Sequence, residues 1–316
     1  MKKILKIIGV SFGCLVGGLI ALFILTWIAF GIGQYFYYGK YFKSRAVLAK
    51  NPGMTKGFVP QGCTYNDAEE YFLTAGYMAT GDVSRIYKVD KKNKSIKFYA
   101  LKSNGENFYG HTGGIQYTNG YFYLSNESDG VYCFSSELLD DSDSVEIGSV
   151  INVNNHSSYI YSDDVYLYVG EYNDDNNYPC FNEFTWNGSV NRAIVTKYAL
   201  SDLTKPLEIY SVPNNIQGFA FTKNGNIVLS RSYALYPSNF LIYAKDKWHK
   251  TGSTMQGAPV YFLDRNDVTE DIVAPPMSED LDLVDGKIIY LSECACDKYV
   301  LGKLFFDYHI YGLDLE

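Results

Sequence analysis

The chain begins with one long apolar run and continues with short segments in which apolar and polar residues alternate. Three lysines near the N-terminus precede residues 7–39, which carry no charge. The apolar core, residues 7–32, exceeds the roughly 20 residues that cross a bilayer as a helix, whereas a secretory signal usually has an apolar region of about 7 to 15 residues. The pattern therefore predicts an uncleaved membrane anchor at residues 7–32. A cytoplasmic stub at residues 1–6 precedes it and a juxtamembrane linker at residues 33–53 follows it.

Charge alone does not decide the orientation of this anchor. Lys40, Lys43, Arg45 and Lys50 on its far side balance the N-terminal lysines under the positive-inside rule. We expect the N-terminus in the cytoplasm and the remaining domain, residues 54–316, outside the membrane. The chain would then be a single-pass membrane protein with an extracytoplasmic domain.

Beyond the anchor, an alternating segment with a small residue at its fifth position recurs five times, at residues 71–77, 121–127, 166–172, 226–232 and 288–294. Ahead of each copy lies a turn rich in Asn, Asp or Gly. Ahead of each turn lies a short apolar strand, at residues 63–65, 114–117, 159–161, 219–221 and 281–284. Asn224-Gly225 is a typical turn of this set, because Asn-Gly readily adopts the positive φ angles of a tight hairpin. The repeat predicts five β-hairpins in series.

A third and a fourth strand follow most of these hairpins. We predict third strands at residues 86–90, 131–135, 194–200, 240–245 and 309–314, and fourth strands at residues 95–101, 145–153, 207–212 and within 260–274. Four-stranded antiparallel units in series are typical of a β-propeller, which closes into a ring. The predicted fold is therefore all-β, a single five-bladed propeller in which residues 246–276 belong to the fourth blade, or a six-bladed one if these residues hold another unit. The fifth unit lacks a fourth strand, and we expect residues 46–59 to supply it.

Composition agrees with an all-β domain and narrows its partners. The chain has 30 Tyr and 28 Gly, a net charge of −8 and no stripe rich in Lys or Arg outside the membrane flank, which argues against nucleic acid as a partner. Five cysteines lie outside the anchor: Cys63, Cys133, Cys180, Cys294 and Cys296. Their odd number and the lack of a Cys-x-x-Cys pair favour buried thiols over a disulfide framework or a zinc site.

Two columns of polar residues fall at the same edge of the predicted hairpins. One residue stands just ahead of each first strand: Gln61, His111, His156, Gln217 and Glu279. Another follows the small residue of four second strands: Asn126, Glu171, Arg231 and Glu293, with Gly76 in the remaining copy. The start of the first strand and the end of the second lie at one edge of an antiparallel hairpin. We therefore expect these nine polar side chains to form a ring and a second tier at one mouth of the central channel.

Three functions compete for this ring. A ligand-binding or sensor module would use it to capture a saccharide, a peptide or another small molecule. A scaffold would instead bind a partner protein on the faces of the propeller, and the ring would only hydrogen-bond water and neighbouring backbone. We favour the binding module, because the polar set has neither a clear triad nor the spacing of a metal site.

A hydrolase of esters, lactones or glycosides is the third function. The general base would be His111 or His156, and Arg231 would stabilise developing negative charge. The acid or orienting group would come from one of three glutamates: Glu171, Glu279 and Glu293. A metal-assisted version would hold a divalent ion with these glutamates and the histidines, although the sequence itself requires no cofactor.

The series of four-stranded units has no kelch, WD or NHL signature. It loosely resembles the bacterial extracytoplasmic β-propellers of the lactonase and strictosidine-synthase-like kind. The resemblance covers the propeller pattern only, so it implies a fold and transfers no catalytic residue.

Overall fold

The computed structural model describes residues 2–127, 130–139 and 142–315, with side chains from residue 11 onward. The chain divides into two compact units, residues 1–43 and 44–316. Two helices come first, α1 (Lys2–Tyr37) and α2 (Gly39–Ser44).

Helix α1 is long and apolar enough to cross a membrane. Ser11–Tyr37 spans 27 residues and contains an 18-residue window with a mean hydropathy of 2.4. The hydroxyl of Thr26 donates to the carbonyl oxygen of Leu22 at 2.8 Å, so this polar group is satisfied inside the helix. A signal sequence near an N-terminus can meet the same criteria of length and composition, so these properties fit both an anchor and a signal.

The second unit is a five-bladed β-propeller. Its first strand in the chain is β1 (Arg45–Lys50), which belongs to the last blade. Blade 1 consists of β2 (Phe58–Asn66), β3 (Tyr71–Met78), β4 (Arg85–Asp90) and β5 (Ile96–Ser103), with the short β6 (Glu106–Asn107) paired to β5. Blade 2 begins with β7 (Ile115–Thr118), β8 (Tyr121–Ser125) and β9 (Gly130–Ser135). Strand β10 (Ser144–Glu146) follows, and β11 (Ile151–Asn152) completes blade 2.

Blade 3 consists of β12 (Tyr159–Ser162), β13 (Tyr166–Gly170), β16 (Ala193–Ala199) and β17 (Asp202–Val212). Between β13 and β16 the chain forms a separate hairpin of β14 (Phe184–Trp186) and β15 (Ser189–Asn191). Blade 4 begins with β18 (Ile216–Phe221), β19 (Ile227–Arg231) and β20 (Ser238–Tyr243). After the hairpin of β21 (His249–Met255) and β22 (Ala258–Phe262), β23 (Glu270–Ala274) completes it. Blade 5 consists of β24 (Ser278–Val284), β25 (Lys287–Ser292), β26 (His309–Leu313) and β1. Short 3-10 helices occupy Met54–Lys56, Ser136–Leu138, Arg265–Asp267 and Gly302–Phe305.

The predicted five-bladed all-β fold is confirmed, but two outer segments were assigned to the wrong blade. The fourth strand predicted at residues 145–153 is split, because β10 pairs in parallel with β5 of blade 1 and only β11 pairs with β9. Residues 246–276 do not all belong to blade 4, because β22 pairs in parallel with β17 of blade 3. Both segments extend the exposed edge of a neighbouring sheet, which leaves fewer unpaired backbone groups at that edge.

The ring is closed by the N-terminal strand, as predicted. Strand β1 runs antiparallel to β26, from Arg45 opposite Leu313 to Lys50 opposite His309, with a bulge between Val47 and Ala49. The strand begins one residue before the predicted range, residues 46–59, and ends well inside it.

Cysteines do not cross-link the propeller. All six are free, and Cys63, Cys180, Cys294 and Cys296 are buried. Buried thiols behave as small apolar side chains, in agreement with the sequence prediction.

The inner strands meet at a buried carboxylate on the channel side of blade 5. Asp280 is fully buried, and its Oδ2 accepts a hydrogen bond from the backbone nitrogen of Ile115 at 3.2 Å and a further one from the backbone of Ile160. Ile115 begins β7 and Ile160 lies in β12, so one carboxylate joins blades 5, 2 and 3. Gly114 makes room for it, because a Cβ at that position would lie 2.5 Å from Asp280 Oδ2.

A second buried acid joins blades 1, 2 and 5 further along the same strand. Asp282 Oδ2 accepts from the hydroxyl of Thr64 at 2.7 Å, and that hydroxyl accepts from the backbone nitrogen of Tyr117 at 2.9 Å. Burial raises the pKa of Asp282 to about 7. The inter-blade contacts near the axis are therefore polar and sensitive to protonation.

Replacing Ala49 by aspartate should destabilise the propeller by opening its closing blade. Ala49 is buried beside Ile289 and Ile310, and an unpaired charge there should cost roughly 3 kcal/mol or more. For a domain of this size that corresponds to a melting temperature lower by roughly 6 to 12 °C, measured by thermal unfolding. Ala46→Asp is the control, because Ala46 is exposed on the same strand and its substitution should change stability little. Equal losses in the two variants would show that β1 does not pack as described.

Stability should fall as the pH rises from about 4 to about 7. Asp282 has a raised pKa in the folded state, about 7 against an ordinary value of 3.8, so the folded state binds its proton more tightly than the unfolded state does. Each such group contributes a slope of up to about 1.4 kcal/mol per pH unit. Asp282→Asn should flatten the dependence of the free energy of unfolding on pH, as measured by urea unfolding at several pH values. An unchanged slope in this variant would exclude Asp282 as a source of the dependence.

Candidate ligand-binding cavity

A cavity of about 280 Å³ opens at the mouth where the inner strands begin. Its walls come from the starts of the inner strands, the ends of the second strands and two loops. Four tyrosines form much of its surface: Tyr77, Tyr172, Tyr178 and Tyr299. The cavity is thus polar at its base and aromatic along its sides.

The structure brings five of the nine sequence-predicted residues into this cavity: Gln61, His111, Gln217, Glu279 and Glu293. His156 and Glu171 line a separate cavity of about 370 Å³, beside Cys180 and Phe181. Asn126 and Arg231 line neither of these two cavities. Arg231 is half-buried, and its charged neighbours are Arg265 and Asp271 of blade 4.

Bulges in the inner strands direct the predicted residues into the cavity. Gln61 lies between Pro60 and Gly62 in β2, whose partners Gly76 and Ala75 are adjacent in β3, so Gln61 is an extra residue. Gln217 is extra in the same way, between Ile216 and Gly218. In β24 the irregularity between Ser278 and Leu281 takes Glu279 and Asp280 out of the regular pairing with β25. A bulge turns a side chain out of the regular alternation, and here it turns these side chains towards the channel.

A chain of hydrogen bonds crosses the base of the cavity. Glu127 Oε2 lies 2.7 Å from His111 Nδ1, and His111 Nε2 lies 2.6 Å from Gln61 Oε1. Gln61 Nε2 donates to Glu293 Oε2 at 2.7 Å and to the carbonyl oxygen of Pro60 at 3.0 Å. Both nitrogens of His111 thus lie within hydrogen-bond distance of acceptor oxygens.

The two buried glutamates of this site, Glu279 and Glu293, affect each other's ionisation. Burial raises the pKa of Glu279 well above its usual range, and the neighbouring Glu293 raises it further. Burial also raises the pKa of Glu293, although the Tyr299 hydroxyl, Lys298 and His111 oppose the shift. The two carboxyls therefore resist ionising together.

The carboxyl of Glu279 has no partner among the residues that the structure describes. Its side chain is 2% exposed, and within residues 2–127, 130–139 and 142–315 the carboxyl forms no hydrogen bond and no ion pair. Glu293, by contrast, is held by Gln61 and Tyr299. A buried carboxyl without a partner is costly, so Glu279 is the group in the cavity with most to gain from a ligand.

The charged side chain of Lys298 lies against part of the aromatic wall. Lys298 Nζ donates to the hydroxyl of Tyr77 and lies 4.9 Å from the centre of that ring and 5.1 Å from the centre of the Tyr299 ring. The tyrosine faces of this cavity therefore accept a positive charge, as expected from the negative face of an aromatic ring.

The separate cavity around Glu171 has its own acid. Glu171 Oε2 accepts from Asn182 Nδ2 at 3.1 Å and from the backbone nitrogen of Ile194 at 3.2 Å. Burial nevertheless raises its pKa to about 7. Because Glu171 is separated from Glu279 and Glu293, the three glutamates cannot share one metal ion as the metal-assisted hypothesis required. No group of three or more His, Cys, Asp or Glu side chains is arranged to hold a metal in the part of the chain that the structure describes.

The other mouth of the channel holds a third cavity, of about 350 Å³, near the hairpin turns. Four aspartates line it: Asp67, Asp164, Asp282 and Asp285. Asp282 is engaged by Thr64 and Asp164 by the hydroxyl of Thr118 at 2.6 Å. Asp282 and Asp164 therefore support contacts between blades.

Sequence reasoning missed several cavity residues that lie one position beyond the predicted second tier. Blades 1 to 4 contribute Tyr77, Glu127, Tyr172 and Ser232, each directly after the expected residue, whereas blade 5 contributes Glu293 itself. The signal was available, because successive residues of a strand face opposite sides and the tier could have been assigned to either parity. Tyr299 comes from a loop, where no periodicity applies.

Comparisons with known proteins give similarity in fold only. No protein-family model matches the chain, and no curated protein sequence matches it. Among solved structures it is similar to a glutaminyl cyclase from Myxococcus xanthus, at 8% identity and a TM-score of 0.46, over 85% of this chain and 95% of that one. It is also similar to the PQQ-bound aldose sugar dehydrogenase from Streptomyces coelicolor, at 13% identity and a TM-score of 0.44, over 79% and 78% of the two chains. BamB from Moraxella catarrhalis matches at 6% identity and a TM-score of 0.34, over 81% and 83%. These neighbours are bacterial propeller proteins, in agreement with the loose resemblance seen in the sequence.

Proposed function

We propose that this chain is a ligand-binding module, anchored in a membrane by α1 with its propeller outside the cytoplasm. It takes a small polar ligand that carries a positive charge. The ligand occupies the cavity of about 280 Å³ at the mouth of the channel, a volume suited to a small metabolite or to the end of a larger molecule.

The observation that carries this proposal is the unpartnered carboxyl of Glu279. It is buried, it lines the cavity, and its pKa is raised by burial and by Glu293. A cationic group on the ligand would supply the missing ion pair, and hydrogen bonds to a charged group are worth about 1.5 to 3 kcal/mol.

The surrounding residues suit the same kind of ligand. Gln217 lines the cavity with an amide that has no hydrogen-bond partner among the described residues, so it can both donate and accept. Tyr172 and Tyr178 meet edge to face, with ring centres 5.8 Å apart, and provide an aromatic surface for a cation or its alkyl groups.

The geometry supports binding more strongly than hydrolysis. His111 has both nitrogens engaged, by Glu127 and Gln61, whereas a general base needs a free lone pair. The other candidate base, His156, lines a different cavity, which contains Glu171 but neither Glu279 nor Glu293. A scaffold function requires none of these features, and no specific observation favours it.

Glu279→Gln should weaken the binding of organic cations by roughly tenfold or more, because it removes the negative charge and keeps the shape. Choline, ethanolamine and spermidine are suitable probes, titrated calorimetrically into the purified full chain. The neutral isostere of choline, 3,3-dimethylbutan-1-ol, should bind more weakly than choline. Binding should strengthen as the pH rises, because the cation pairs with the ionised form of a carboxyl whose pKa is raised.

Asp282→Asn is the matched control, since it also neutralises a buried acid but at the opposite mouth. It should leave cation binding unchanged. Failure of all three cations to bind would contradict the proposed ligand class, and a neutral isostere that binds as well as choline would show that charge is not recognised.

A further inference from the structure

We propose that the seam at which β1 closes the ring is a second binding site, which takes a phosphate or similar compact anion attached to an apolar or aromatic group. The seam is a cavity of about 570 Å³ between the segment that follows β1 and the outer strands of blade 1. It is independent of the cation site at the channel mouth, with which it shares no lining residue.

The seam has a defined backbone. After β1 the chain crosses from blade 5 to blade 1 through residues 51–57, where Gly53 and Gly57 have φ angles of 77° and 79° on either side of a 3-10 turn. The backbone nitrogen of Asn51 donates to the carbonyl oxygen of Tyr308 at 2.9 Å, and that of Asp297 donates to Met54 at 2.9 Å. The crossing segment is therefore held to blade 5 and its loop.

The charged residues that line the seam are all positive. Lys50, Lys56 and Arg85 line the cavity, and no carboxylate does. The three other cavities described above each contain at least one acid, and the whole chain has a net charge of −8. None of the three cations forms an ion pair with a residue that the structure describes. Uncompensated cations gathered on one concave surface attract an anion, and Arg offers paired donors that fit phosphate or carboxylate oxygens.

A buried amide provides an independent sign of a missing partner. Asn51 is 2% exposed and lines the cavity. Neither its Nδ2 nor its Oδ1 has a hydrogen-bond partner among the described atoms. Buried side-chain amides are almost always paired, with protein, water or a ligand, so the amide nitrogen is a donor available to an anion once the seam is occupied.

An apolar surface lies next to the cations. The rings of Tyr87 and Phe98 are 5.8 Å apart, and the guanidinium of Arg85 sits 4.7 Å from the centre of the Phe98 ring. Phe98 and Ile96 are 42% and 45% exposed. Exposed aromatic and aliphatic groups beside three cations match a ligand whose anion is joined to an apolar body.

Two sources supply this chemistry, a soluble phosphate ester and the headgroup of an anionic phospholipid. The full chain, purified in a nonionic detergent, can be tested with both. Phenyl phosphate represents the soluble source, titrated calorimetrically against inorganic phosphate. Mixed micelles containing phosphatidylglycerol, compared with micelles containing phosphatidylcholine, represent the lipid source. We expect phenyl phosphate or phosphatidylglycerol to bind, more tightly than inorganic phosphate or phosphatidylcholine respectively, and to bind less tightly as salt is added.

The double variant Lys56→Gln with Arg85→Gln should weaken that binding by about tenfold or more. The control is Lys223→Gln with Lys247→Gln, which removes the same charge from exposed sites outside the cavity. An equal loss in the control would show non-specific attraction to charge and overturn the proposal, as would the failure of both probes to bind. Binding of phenyl phosphate alone identifies the soluble source, and binding of phosphatidylglycerol alone identifies the lipid.

Asn51→Leu separates a binding role from a structural one. The substitution removes an unpaired buried amide and keeps its approximate volume, so the melting temperature without probe should stay the same or rise. Binding of the active probe should nevertheless weaken several-fold. A variant that is folded and binds as tightly as the parent would overturn the role of Asn51 and remove the second observation on which the site rests.

Discussion

The propeller depends on one buried acid, the carboxyl of Asp280, at the axis where five inner strands converge. An innermost strand has no further strand beside it, so backbone N–H groups that face the axis need another acceptor. Asp280 supplies that acceptor to Ile115 and to Ile160. The arrangement costs desolvation, which raises the pKa of Asp280 well above its usual range. Gly62 and Gly114 are required beside it, because a Cβ on either would lie about 3 Å or less from its Oδ2 or from neighbouring backbone.

The same strand supplies acids at three levels of the channel. Glu279 lies at the cavity, Asp280 at the axis and Asp282 at the contact with Thr64. Blade 5 therefore determines both how the inner strands are joined and which charge the mouth presents. A change in the register of β24 would alter the fold and the candidate site together.

Much of the fold could be predicted from the sequence, because hairpins are local. Alternating strands on either side of turns such as Asn224-Gly225 identify each blade, and the missing fourth strand of blade 5 requires a donor elsewhere in the chain. The segments containing β10 and β22 could not be assigned, because each pairs in parallel with an outer strand of another blade. Such pairing depends on which sheet edges are neighbours in space, and a three- or five-residue strand carries no mark of its partner.

The candidate site could be predicted only in part, for a related reason. Gln61, His111, Gln217, Glu279 and Glu293 share a cavity, whereas His156 and Glu171 are separated from them. The inner-strand residues were recognisable because each stands just ahead of a short apolar segment in the sequence. Which of two successive residues a second strand presents to the channel, such as Asn126 or Glu127 in blade 2, depends on bulges and strand ends. These shift the alternation by one residue. Lys298 and Tyr299 come from a long loop, whose path is set by tertiary contacts.

Closure by β1 also has a consequence for the order in which the protein is made. Strand β1 is the first of the propeller to leave the ribosome, and its partner β26 is the last strand described. Blades 1 to 4 contain partners that are close in the chain and can pair during synthesis. Blade 5 cannot, so β1 remains an unpaired strand until β26 has been synthesised. A chain halted before β26 would expose that edge and the apolar surface of Ala49. Completion of blade 5 therefore distinguishes an incomplete chain from a finished propeller.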